Sequence, residues 1–68
     1  MHYWTLVDST GDVAICQLVR TQHGLEVQCV VQDSERVLNA SAVKTMHDGF
    51  NQSEAWRASY AAKGWRGL

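Results

Sequence analysis

The chain has 68 residues, 46% of them hydrophobic and 19% charged, with no proline, two cysteines and a formal net charge of -1. Such a composition excludes the disordered and low-complexity classes, and the length leaves room for one domain only. No apolar run approaches the roughly 20 residues of a membrane span, and no basic-then-apolar leader opens the sequence. Two cysteines are too few for a disulfide framework, so reduced thiols and a cytoplasmic setting are expected, with no membrane partner.

Charge is unevenly spread. Residues 1–35 carry Arg20 against Asp8, Asp12, Glu26, Asp33 and Glu35, whereas residues 36–68 carry Arg36, Lys44, Arg57, Lys63 and Arg66 against Asp48 and Glu54. An acidic sheet packed beside a basic helical half accounts for this without any function, and a charged partner is the second reading.

The chain predicts an α+β domain, a small antiparallel meander of three to four strands packed against one or two C-terminal helices. Residues 2–8 are rich in aromatic and β-branched side chains, and Asp8-Ser9-Thr10-Gly11 separates them from a second run at 12–20. Gly11 suits the left-handed position that closes a three-residue loop, which pairs Asp8 with Asp12, Leu6 with Ala14 and Trp4 with Cys16. The second strand is apolar on both faces: Val13, Ile15 and Val19 point one way, and Ala14, Cys16 and Leu18 the other. A strand with one wet face alternates apolar with polar, so this one predicts cover on both sides of the sheet.

Residues 25–32 form a third strand, with Leu25, Val27, Cys29 and Val31 on one side. Its register has two solutions. A two-residue loop, Gln22-His23, sets Leu18 opposite Val27, Cys16 opposite Cys29 and Ala14 opposite Val31; a bulged loop that includes Gly24 sets Val19 opposite Val27 and Arg20 opposite Glu26. In the first register Trp4, Leu6, Ala14, Cys16, Leu18, Leu25, Val27, Cys29 and Val31 make the core face. Tyr3, Val7, Val13, Ile15, Val19 and Val30 remain opposite, and these six are the candidate interface.

A fourth strand at 36–40 followed by a helical turn at 41–48 is preferred to one helix over both segments. Asn51 and Glu54 resemble a capping box opening a helix over 52–63, which Gly64 ends. On it Ala55, Ala58, Ser59 and Ala62 form a small-residue strip suited to close approach on the sheet, with Trp56 and Tyr60 along its border. So short a helix covers one sheet face, not two.

Signals for chemistry are weak. Cys16 and Cys29 sit in Val/Leu-rich runs and read as buried, inert thiols. His2, His23 and His47 form no metal-ligand spacing with them, and no phosphate-binding or nucleophile motif occurs. No catalytic residue, metal or cofactor is therefore expected. A protein partner is, through a homodimer or higher oligomer formed by the apolar face. The alternative is a nucleic-acid-binding module using Lys44, Arg57, Lys63, Trp65 and Arg66, with Trp65 stacking on a base or else folding back onto the helix end. Phe50-Asn51-Gln52-Ser53-Glu54-Ala55 opening a helix after an antiparallel sheet is similar to the sheet-plus-helix DNA-binding domains of phage-type integrases. The resemblance covers those six residues and implies a sheet that reads DNA with basic and aromatic side chains, whereas Arg20 is the one cation of this sheet half.

Overall fold

The computed structural model describes residues 1–68. Four strands, β1 (His2–Val7), β2 (Val13–Thr21), β3 (Gly24–Val31) and β4 (Val37–Val43), lead into one helix, α1 (Met46–Ala62), and a two-residue strand, β5 (Arg66–Gly67). The sheet is antiparallel throughout in the order β4-β3-β2-β1-β5, so the α+β meander is present with a fifth strand that the sequence did not announce.

Turn chemistry fixes the first hairpin. The Asp8 carboxylate accepts from the Thr10 N–H at 2.9 Å, the Thr10 hydroxyl at 2.7 Å and the Asp12 N–H at 3.0 Å, and Gly11 takes the positive φ of 93° that the loop needs. The Thr10 hydroxyl above all holds the Asp8 carboxyl below its usual range. Leu6 faces Ala14 and Trp4 faces Cys16, as the loop length predicts. In the second hairpin Thr21 pairs with Gly24 around a two-residue turn, so Leu18 faces Val27, Cys16 faces Cys29 and Ala14 faces Val31. The bulged alternative is excluded. Gly24 is used even so, because its φ of 125° follows directly on the tight turn.

Two bulges break the period-2 alternation. Tyr3 is an extra residue between the pairs His2–Gln17 and Trp4–Cys16, and Leu38 is an extra residue between Val30–Val37 and Cys29–Asn39. Each turns an additional side chain toward the helix, and both Tyr3 and Leu38 pack on the core beneath α1. The buried set is Trp4, Leu6, Ala14, Cys16, Leu18, Val27, Cys29, Val31 and Tyr60, with Leu25 half-buried at its margin.

The segment after β3 differs from the expected boundaries. Strand β4 runs to Val43, so residues 41–43 are extended rather than a helical turn. The helix starts five residues before Asn51, because Thr45, at an extended φ of -137°, caps it by accepting the Asp48 N–H at 3.0 Å. Gly49 therefore lies inside the helix. It is buried where the helix crosses β1 and β2: a Cβ at this position would stand 2.7 Å from the Tyr3 hydroxyl and 3.0 Å from Leu18 Cδ1. Gly49→Val is thus expected to lower stability by about 2 kcal/mol through overpacking, measured by the denaturant midpoint. Ala58→Val, on the exposed side, should cost only about 0.5 kcal/mol.

The helix also presents a different face from the expected one. Ala55, Ala58, Ser59 and Ala62 are exposed, while Gly49, Ser53 and Tyr60 are buried and Gln52 and Trp56 half-buried. Two aromatic rings carry far more apolar area than a row of alanines, so the rings turn to the sheet and the small strip to water. Close approach comes from Gly49 and Ser53 instead. Trp4 donates its indole N–H to the Ser53 carbonyl at 2.8 Å and meets Tyr60 edge-on, with ring centroids 6.0 Å apart. No helix is long and apolar enough to cross a membrane.

Candidate interaction surface

Because α1 lies on the core side, the sheet's other face has no covering element, and strand register determines what it displays. Thr5, Ile15, Val30 and Val37 form one row across β1, β2, β3 and β4. Val7 and Val13 form the next row toward the first turn, with Arg66 of β5 beside Val7. On the other side of the Ile15 row stand Gln17, Gln28 and Ala40, and beyond them Val19, Glu26 and Ala42. The face is therefore divided. Val7, Val13, Ile15, Val30 and Val37 are contiguous at one end, and at the other the Gln28 amide donates to the Glu26 carboxylate at 2.7 Å.

Four of the six candidate interface residues, Val7, Val13, Ile15 and Val30, are brought together. Val19 shares their face but lies beyond the Gln17–Gln28 pair and opposite Glu26. Tyr3 does not belong to the face: the bulge turns it to the helix side, where its hydroxyl donates to the Met46 carbonyl at 3.1 Å and its ring meets Phe50 edge-on at 6.2 Å. Val37, 55% exposed, joins the patch in its place. It was missed because its side follows from the Leu38 bulge, which leaves no mark in the hydrophobic pattern.

The five nucleic-acid candidates are scattered. Lys44 follows β4 and Lys63 caps the far end of α1, and a helix of 17 residues separates them by roughly 25 Å. Arg57 pairs with Glu54 at 3.8 Å on the exposed side of α1, and Arg66 lies on the open sheet face opposite Val7. Trp65 folds back on the helix end: its ring centroid is 5.7 Å from that of Tyr60, and its backbone N–H donates to the Tyr60 carbonyl at 3.1 Å. The ammonium of Lys63 lies 5.8 Å from the same tyrosine ring. Tilted packing against Tyr60 inside the fold thus occupies the aromatic that would have met a base.

Reactive side chains are held in neutral, enclosed settings. Burial first, and the neighbouring Cys29 second, push the Cys16 thiol up to about 12, and burial raises Cys29 as well. The Tyr60 hydroxyl, bonded to the Asn39 amide, is pushed up to about 12, again chiefly by burial. A thiol in that state is protonated near neutrality and is not a nucleophile. No group of three or more His, Cys, Asp or Glu side chains is placed to hold a metal ion. A shallow groove of about 480 Å³ runs between β4 and α1, lined by Ser41, Val43 and Lys44 on one side and Asp48, Asn51 and Gln52 on the other.

Set against protein-family models, curated proteins and solved structures, the chain matches none of them. What the fold and surface define is a class by architecture: a small α+β domain with a meander covered on one side by a single helix and bare on the other.

Proposed function

We propose that the protein is a non-enzymatic interaction module whose open sheet face docks against protein, a second copy of the chain included. The observation that supports this is the contiguous set Val7, Val13, Ile15, Val30 and Val37, held by four strands on the one face that the chain's own helix does not reach. Aliphatic side chains projecting from a rigid sheet lose little conformational entropy on docking, which favours association. Cytoplasmic conditions suit the two free thiols, which face each other across β2 and β3.

Ile15 stands at the centre of this patch, between Thr5 and Val30. Ile15→Glu is expected to leave the far-ultraviolet dichroism and the fold intact while weakening association by at least tenfold, because a carboxylate would have to be desolvated in the interface. Sedimentation velocity over a concentration series measures this. Equal association of wild type and variant would remove the open face from the interface.

A further inference from the structure

The edges of the sheet are unequal. At the β5 edge the strand is only two residues long, whereas β4 is seven residues, Val37–Val43, with no proline and no charge. Natural sheets blunt such edges with charges, prolines or very short strands, and β4 has one bulge, at Leu38, at its first end. Asn39 to Val43 remain regular with no strand on the outer side, where the Ala42 carbonyl accepts from the Ser41 hydroxyl at a long 3.4 Å. From these features we infer that β4 is a second contact surface, pairing antiparallel with β4 of another copy about a twofold axis through Ser41.

Hydrogen-bond phase fixes which groups are free. The two-residue turn makes Thr21–Gly24 a hydrogen-bonded pair, so Gly24, Glu26, Gln28 and Val30 direct their backbone groups to β2. Leu25, Val27 and Cys29 then direct theirs to Val43, Ser41 and Asn39 of β4. Ala40 and Ala42 are left with N–H and C=O groups pointing away from the sheet. Centring the pair on Ser41 sets Ala40 against Ala42 of the second copy, and Ala42 against Ala40, so that all four outward groups of each strand are met. The same register sets Asn39 against Val43, which share the helix side, and keeps both alanines on the open side. Centring on Ala40 fails, because it sets Leu38, turned to the helix by the bulge, against Ala42 on the open face.

Electrostatics and the self-complementary register are consistent with a second copy as occupant. The paired segments carry no charge, and the two Glu26 carboxylates are kept apart by an intervening pair of alanines. Five residues of strand pairing bury much less than the roughly 1,600 Å² of a standard interface, so this contact is weak alone. A twofold axis normal to the sheet puts both open faces on one side, doubling the docking surface of the pair. The edge contact does not depend on that surface being used.

The test exploits the hydrogen-bond phase. Ala42→Pro removes an N–H that points outward and leaves the ladder to β3 intact, so the monomer should keep its dichroism and thermal midpoint while the dimer weakens by at least tenfold in sedimentation equilibrium. Ser41→Cys places two thiols at the close, non-hydrogen-bonded position of the proposed pair, and air oxidation should convert it to a covalent dimer that Ala42→Pro in the same chain prevents. The buried Cys16 and Cys29 of the parent chain serve as the control for adventitious coupling. A dimer unchanged by Ala42→Pro but lost in Ile15→Glu would overturn the edge contact and leave the open face standing; the reverse pattern would do the opposite. A chain monomeric at every concentration, or an edge that pairs only with an added extended peptide, would overturn the inference.

Discussion

Trp4→Ala is expected to leave the chain largely unfolded at room temperature, the most severe loss available from a single side chain. The indole is 5% exposed, fills the centre of the helix–sheet contact, and is the donor to the Ser53 carbonyl at 2.8 Å. Truncating a buried tryptophan costs about 3–5 kcal/mol, and here the cavity comes with loss of the buried hydrogen bond that ties β1 to the helix. A domain of this length has on the order of 3–10 kcal/mol of total stability, so the loss consumes much or all of it. Thermal melts by circular dichroism check this, with Trp56→Ala as comparison: Trp56 is half-buried and should cost markedly less. Equal midpoints for the two variants would show that Trp4 is not the keystone of the helix contact.

Alkaline pH is expected to unfold the wild-type chain through its buried thiol and phenol. Cys16 rises from 9.0 to about 12, and Tyr60 from 10.0 to about 12, because burial disfavours their charged forms. The unfolded chain therefore releases these protons at lower pH than the folded one, and stability present in full below pH 9 is lost as pH climbs toward 12. Each group contributes a slope of about 1.4 kcal/mol per pH unit while only its unfolded form is ionised. The sum reaches several kcal/mol by about pH 11, enough to denature a small domain. Urea midpoints followed upward from neutrality give the slope directly. Tyr60→Phe should flatten it above pH 10, the range in which the free tyrosine ionises. A midpoint independent of pH over that range would mean that neither group is enclosed.

Much of the architecture was legible in the sequence, and the exceptions share a cause. Loop lengths and alternation predicted β1, β2 and β3 and the register of the first hairpin, whereas the second hairpin had two registers open, and the two-residue turn between Thr21 and Gly24 selects the one that sets Cys16, Leu18 and Val27 in the core. What escaped were features that tertiary contacts create. Bulges at Tyr3 and Leu38 have no periodic signature, yet they decide that Tyr3 leaves the open face and that Val37 enters it. Gly49 reads locally as a helix stop, and only the approach of Tyr3 and Leu18 explains a glycine within α1. Likewise the choice between an alanine strip and a Trp56–Tyr60 stripe depended on what the sheet offered beneath. Strand β5 consists of two residues and forms because Trp65 docks on Tyr60, which brings Arg66 and Gly67 beside Val7 and Leu6. The candidate surface was therefore identified by face and in four of its members, while its boundary came from backbone irregularities.

One experiment addresses the open face most directly. Methyl-labelled protein is diluted from millimolar to micromolar concentration while its methyl spectrum and its sedimentation are followed together. Docking through the open face predicts that the methyl signals of Val7, Val13, Ile15, Val30 and Val37 shift with the change in mass, while those of Leu6, Leu18 and Val27, buried beneath α1, stay fixed. A constant mass of 7.6 kDa with all five methyl sets unmoved, or a mass change accompanied by shifts only elsewhere, would contradict it.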